Sequence, residues 1–117
     1  MYALKNKVQL IGTVTDIPKI EILENNKKQA TLILATTEKC KNEKGKVESE
    51  TMWHHLVAIG NSANLIEKYV ERGHEIAIEG KLTYRTIEDE KGRRFKTEVQ
   101  VLEILLLTKT PDLPIKN

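Results

Sequence analysis

The sequence predicts a small all-β barrel of five strands with one α-helix between the third and fourth strands. Five segments alternate apolar with other residues or are rich in Thr, Ile, Val and Leu, which is the pattern of strands. Only one segment carries apolar residues at helical spacing, and it follows the third of these strands. A length of 117 residues fits a single domain of this kind.

The first strand is predicted over Lys7–Val14. Val8, Leu10, Gly12 and Val14 stand at alternate positions, that is, they share one parity and therefore one face of the strand. A glycine inside a strand indicates a bulge or a bend. Pro18 interrupts the pattern, and the alternation then resumes briefly over residues 20–23.

The second strand is predicted over Gln29–Glu38 and the third over Glu50–Ile59, and a lysine-rich polar loop over Lys39–Val47 joins them. The predicted helix follows in the segment "GNSANLIEKYVERG". Either Asn61 or Ser62 is expected to cap its start, and its end is expected near Arg72 and Gly73.

The fourth strand is predicted over His74–Ile87, with Gly80 at a sharp bend, and the fifth over Phe95–Leu107. A hairpin tip around Gly92 joins them. This order of elements is that of an OB-fold barrel, although other small barrels share part of it. We expect residues 1–108 to form the domain and residues 109–117 a short tail.

Composition excludes several classes of protein. The formal net charge is +2, so a polyanionic partner is neither required nor excluded. One cysteine permits no disulfide within the chain, and no stretch approaches the roughly 18 apolar residues of a membrane span. Motifs for nucleophilic, nucleotide or zinc chemistry are absent from the sequence. We expect a cytoplasmic binding protein with no catalytic role, no cofactor, no metal, no small-molecule substrate and no membrane partner.

The histidine pair at positions 54 and 55 offers three interpretations: a metal site, a catalytic pair or two unrelated side chains. Neighbouring residues of a strand point to opposite faces, so His54 and His55 cannot hold one metal ion together. His74 is a possible third ligand, but no cysteine or acidic cluster accompanies it. Two unrelated histidines is the favoured interpretation.

Trp53 shares its parity with His55, Val57 and Ile59. Its indole either fills the core or presents a flat surface on which bases of any sequence can stack. Basic residues near the predicted hairpins favour the second interpretation. Mobile cationic loops beside an aromatic strand are typical of proteins that bind single-stranded nucleic acid. Four of these cations lie within six residues, at Lys91, Arg93, Arg94 and Lys96.

The segments "NKVQLIGTV", "LATTEK", "ETMWHHLVAIG", "YVERG", "IEGKLTYR" and "TEVQV" together resemble the bacterial single-stranded DNA-binding proteins, from about Lys5 to Leu107. The resemblance implies an OB-fold that assembles into homo-oligomers, more often tetramers than dimers. It also implies binding of single-stranded DNA in replication, recombination and repair.

The resemblance further assigns roles to residues by position. Trp53 matches a stacking aromatic, and His55, Lys7 and Arg85 match basic positions near the DNA path. His54 matches a histidine at the subunit interface, and Tyr69 a structural helix residue. With the hairpin cations, the predicted nucleic-acid contacts are Lys7, Trp53, His55, Ile59, Arg85, Arg93, Arg94 and Lys96.

The sequence also departs from the family pattern. Cys40, Ile59 and Ile87 stand where well-known members carry stacking aromatics, which predicts weaker stacking and a stronger dependence on phosphate contacts. Tyr84 and Phe95 are candidates to compensate for these aromatics, but Tyr84 is expected to face the core because it shares parity with Ile76 and Ile78. The sequence ends without the family's acidic tip. The missing tip and the reduced set of aromatics leave an alternative: a protein similar to the primosomal replication protein PriB, or an adaptor OB protein that acts mainly through protein contacts.

Overall fold

The computed structural model describes residues 5–107. Within these residues six strands and one helix follow one another, and the barrel portions of the longer strands alternate buried with more exposed residues as the sequence pattern predicts. The predicted boundary and tail over residues 109–117 lie outside the described part. The elements are β1 (Val8–Val14), β2 (Lys19–Ile22), β3 (Lys28–Lys41), β4 (Val47–Ile59), α1 (Asn61–Tyr69), β5 (Glu75–Asp89) and β6 (Gly92–Leu106).

Five of the strands close into a barrel, which confirms the predicted fold class. The order β1-β5-β6-β4-β3 closes because β1 also pairs with β3, and the short β2 adds to β3. All pairings are antiparallel except a short parallel one, in which Leu56 and Val57 of β4 meet Val99 and Gln100 of β6. The sequence pattern did not reveal this parallel contact.

Two glycines allow neighbouring backbones to approach closely where strands bend. At Gly12, a Cβ would lie 2.2 Å from the carbonyl oxygen of Ala35, where β1 leaves β5 and joins β3. At Gly80, a Cβ would lie 2.1 Å from the carbonyl oxygen of Gln100. The pairing of β5 with β6 shifts register at this second point, as the prediction of a bent strand at Gly80 requires.

The core lies inside the barrel and under the helix. It includes Leu34 and Leu56 from β3 and β4, Ile76 from β5 and Ile66 from α1, all of them fully buried. Burial of about 25 cal/mol per Å² of apolar surface is the main force that stabilises such a closed sheet. Ile104 and Leu106 pack against this cluster while Leu102 and Leu105 are exposed, so the last strand is apolar on both faces.

The helix is present where it was predicted, but both of its ends differ from the prediction. It begins after Gly60, and no side chain donates or accepts a capping hydrogen bond there. The prediction of Asn61 or Ser62 as the cap is therefore wrong. The helix ends at Tyr69, and Val70 is already extended, so the predicted end near Arg72 is one turn too late.

Two hairpins extend beyond the barrel, and we call them arms. The β3–β4 arm covers residues 36–52 and the β5–β6 arm covers residues 83–98, because no third strand pairs with β3, β4, β5 or β6 within these ranges. The strands of the β3–β4 arm extend into both ends of the loop predicted over residues 39–47, so the observed loop is shortened to residues 42–46. Within residues 5–107, no helix is long and apolar enough to cross a membrane.

Candidate nucleic-acid interface

Trp53 lies on the outer face of the barrel and is 62% exposed. The core interpretation of this residue is therefore wrong. Its parity places it with His55 and Ile59, which are also exposed, whereas Leu56 and Ala58 point inward and are buried. An indole in this position stabilises no core and is available to a flat partner.

The register between paired strands shows that this outer face continues from β4 onto β3, β6 and β5. Val57 of β4 lies opposite Thr31 of β3 and opposite Gln100 of β6, and Gln100 lies opposite Lys81 of β5. Side chains at these positions share one face because directly paired residues point to the same side of a sheet. Alternate residues along β5 and β6 add Arg85, Lys96 and Arg94 to that face, where Arg85 pairs with Lys96 and Arg94 with Ile87.

A groove of about 470 Å³ on this face brings His55, Arg85 and Lys96 together. Its other wall comes from β2, β3 and the segment that joins β1 to β2, including Lys19 and Thr31. A second pocket of about 230 Å³ contains Trp53 with His55 and reaches Glu98 at the base of the β5–β6 arm. Asp16 and Glu21 also line the larger groove, so its charge is mixed. His55 lines both pockets, so the indole and this groove are neighbours on one surface.

The remaining predicted contact residues are more dispersed. Lys7 is exposed just before β1, and its Nζ lies 3.4 Å from Oε1 of Glu79. Arg93 lies on the opposite face of the β5–β6 arm from Arg94, since it pairs with Glu88 rather than with Ile87. The four hairpin cations of the sequence are thus divided between two faces and the turn.

Each of the five cationic residues predicted from the sequence forms an ion pair with a carboxylate. Nη2 of Arg93 lies 3.0 Å from Oε1 of Glu88, and Nη2 of Arg94 lies 3.1 Å from Oδ2 of Asp89. Exposed pairs of this kind contribute about 0–1 kcal/mol, so phosphate can displace the carboxylate at small cost.

Glu98 differs from these acids because it is only 6% exposed. Nη2 of Arg85 donates a hydrogen bond to Oε2 of Glu98 at 3.1 Å, and Nζ of Lys96 lies 3.9 Å from the same oxygen. A buried carboxylate requires a partner, so Glu98 orients Arg85 and cancels part of the groove's positive charge. Sequence reasoning missed it, because in "TEVQV" Glu98 shares its face with the polar residues Lys96 and Gln100 and therefore reads as an exposed position.

The histidines occupy separate environments, as strand parity predicts. Nε2 of His54 lies 2.8 Å from Oγ1 of Thr36 at the mouth of the barrel, where His54 is half-buried. His74 is buried, and its Nδ1 accepts a hydrogen bond from the backbone N–H of Glu71. Among residues 5–107, no three His, Cys, Asp or Glu side chains are grouped so that they could hold a metal ion.

Tyr84 and Phe95 are exposed, so the prediction that Tyr84 faces the core is wrong. Its parity is that of Ile76 and Ile78, but Tyr84 lies in the β5–β6 arm, where no second layer covers that face. Ile87 is half-buried and Cys40 is exposed near the end of the β3–β4 arm. The arms therefore carry fewer aromatic side chains on the groove side than the family pattern implies.

Comparison with known proteins adds sequence relationships to this geometry. The family model of the single-strand binding protein family matches residues 5–107. "Single-stranded DNA-binding protein 1" of Xylella fastidiosa (strain 9a5c) is 33% identical over 109 residues, which cover 92% of this chain and 80% of that protein. The single-stranded DNA-binding protein of Bacteroides thetaiotaomicron is 33% identical over 106 residues, covering 88% of this chain and 66% of the relative.

Solved structures show the same relationship. A complex of the Plasmodium falciparum SSB with ssDNA superposes with a TM-score of 0.81 at 31% identity, covering 88% of this chain and 95% of the other. A deletion mutant of the single-stranded DNA-binding protein from Thermus aquaticus superposes with a TM-score of 0.79 at 27% identity, covering 88% of this chain and 50% of the other. The overall fold is therefore shared with these proteins.

Proposed function

The chain belongs to the single-strand binding protein family, and from this premise we propose that it binds single-stranded DNA without sequence preference. The observation that carries the proposal is the exposed indole of Trp53 on the same face as the groove of His55, Arg85 and Lys96. Both the family and the DNA-bound structural neighbour favour DNA binding over the adaptor alternative.

The mechanism combines two contacts that do not depend on sequence. A base stacks on Trp53, because every base has a π-face. Phosphates interact with Arg85 and Lys96 in the groove, and Arg94 extends the cationic path along the same face of the β5–β6 arm. Lys7 before β1 and Arg93 on the other face of the arm are the further phosphate contacts that we propose. Release of counterions from the phosphates then drives part of the association.

We propose that the protein works as a homo-oligomer, with a tetramer favoured over a dimer. Ile11, Ala77 and Leu105 form one row across the outside of β1, β5 and β6, and Ile11 and Leu105 are exposed. Exposed apolar residues that adjoin one another mark a contact surface. His54 is assigned to a subunit interface only by its family position. Light scattering gives the mass directly, and a monomer at micromolar concentration would contradict this part.

The proposed role is to bind and protect transient single strands in replication, recombination and repair, with no catalytic step. Such a protein acts in the compartment that holds the DNA, which in bacteria is the cytoplasm. The PriB-like adaptor role receives no support from the groove, since its cations and the indole lie where a nucleic acid strand can reach them.

Binding of labelled oligo-dT, oligo-dC and a duplex of equal length, measured by fluorescence anisotropy against salt concentration, tests the function. We expect the two single strands to bind with similar affinity and more tightly than the duplex. The logarithm of the binding constant should fall linearly with the logarithm of salt, by about 0.7 for each neutralised phosphate. Absence of binding at low salt would contradict the proposal.

Replacing Glu98 by Gln should strengthen binding in the same assay. The change removes the negative charge that Arg85 and Lys96 share, so both become available to phosphate. We expect a salt slope steeper by up to about 0.7 for each cation released. Glu71→Gln is the control, because it changes the net charge equally at an exposed position outside the groove. Equal salt slopes for the two variants would show that Glu98 does not limit the binding of phosphate by Arg85 and Lys96.

A further inference from the structure

The β5–β6 arm has two unlike faces. Arg85 and Lys96 lie on the face that joins the groove, as described above. The other face carries Tyr84 and Phe95: Tyr84 pairs with Thr97, and Phe95 pairs with Thr86, so the two rings share one face at diagonal positions. Diagonal neighbours across two strands are within reach of each other when their side chains are aromatic.

Both rings are more exposed than Trp53. Tyr84 is 69% exposed and Phe95 is 72% exposed, so neither ring contributes to the core. Flat aromatic surfaces that face solvent on a hairpin are suited to stacking against the bases of a single strand. This chemistry is the same as that of Trp53, on a surface that faces away from the groove.

The two aromatic sites are connected. Thr97, the register partner of Tyr84, lines the same 230 Å³ pocket as Trp53, and Leu82 and Val99 from the aromatic face line it as well. Along the arm, Tyr84 lies opposite the pocket residue Thr97, and Phe95 lies one further pair toward the tip on the same face. Arg93 stands on the same face toward the tip.

We propose that Tyr84 and Phe95 form a second base-stacking site for single-stranded DNA, reached by strands long enough to continue from Trp53 around the β5–β6 arm. Arg93 supplies a cation for the phosphate beside it once Glu88 is displaced. The inference rests on the proposed function and adds two contact residues to it. It also explains how a chain with Cys40, Ile59 and Ile87 retains several aromatic platforms.

The test compares short and long oligo-dT on the double variant Y84L/F95L. Leucine keeps the apolar character and removes the flat ring, and both positions are exposed, so the fold should persist. Strands of about 6 and about 16 nucleotides span the range of site sizes for one OB-fold. We expect binding of the longer strand to weaken at least about 30-fold, from the loss of two stacking contacts of about 1–3 kcal/mol each, and binding of the shorter strand to change less than about threefold.

The Tyr84→Phe variant is the matched control, because it retains the ring and should bind the longer strand as the unmodified protein does. Equal affinity of the double variant and the unmodified protein for the longer strand would overturn the inference. A lower mass of the double variant in light scattering would also overturn it, by showing that this face is a subunit contact. If the unmodified protein fails to bind even the shorter strand, the proposed function itself fails.

Discussion

Replacing Trp53 with Ala should weaken binding of labelled oligo-dT by about 1–3 kcal/mol, which is roughly a 5- to 150-fold rise in Kd. The indole is the platform on which the proposed mechanism places a base, and no other described aromatic ring lines the groove or the pocket at the base of the β5–β6 arm. Fluorescence anisotropy of the labelled strand measures the change, since the variant has no tryptophan.

Ile22→Ala is the matched control for this variant. Ile22 is also 62% exposed and lies in β2, outside the two pockets that line the proposed path. Because Trp53 is not in the core, its variant should melt close to the unmodified protein, within about 0.5 kcal/mol. Unchanged affinity with an intact fold would remove Trp53 from the binding site.

Replacing Gly80 with Ala should destabilise the fold by at least about 1–3 kcal/mol, as expected for overpacking. The added Cβ would lie 2.1 Å from the carbonyl oxygen and 3.0 Å from the carbonyl carbon of Gln100, and both are backbone atoms. Backbone cannot rotate away as a side chain can, so β5 and β6 must separate where their register shifts.

Thermal melting at one fixed protein concentration measures this effect, since oligomerisation makes Tm depend on concentration. The expected drop in Tm is about 4 °C for each kcal/mol lost in a domain of this size. Lys81→Ala, at the exposed neighbouring position, is the control and should change stability by no more than about 0.5 kcal/mol. A Gly80→Ala variant that melts at the same temperature as the unmodified protein would contradict the close approach of Gly80 to the Gln100 backbone.

The strands and the helix were predictable because apolar residues repeat with the period of each element. Parity showed correctly that Trp53, His55 and Ile59 share a face. It did not show which face is inside, because alternation fixes the relation between neighbours and not the position of the core. Only closure of the barrel decides that, and it depends on pairings between strands distant in sequence, such as β1 with β3.

Tyr84 shows where parity fails. Ile76, Ile78 and Tyr84 point the same way along β5, but the barrel ends before Tyr84 and the arm has no opposing layer. The length of a hairpin beyond its barrel is set by where third strands stop pairing. A local pattern carries no information on that point.

The ion pairs of the interface also could not be predicted from the sequence pattern. Four cations within six residues indicated a cluster of positive charge at the hairpin, but register places Arg93 and Arg94 on opposite faces and sets an acid beside each. Glu98 meets Arg85 only because β5 and β6 align Arg85 with Lys96. Charge in the groove is therefore a property of strand pairing rather than of composition.

Titration of the unmodified protein with unlabelled oligo-dT, followed by tryptophan emission, tests the central claim most directly. The chain has one tryptophan, so the whole signal comes from Trp53. Stacking of a base on the exposed indole predicts quenching that saturates as the strand fills its site and reverses when salt is added. Emission that stays constant while the strand binds would place the binding site elsewhere on the molecule.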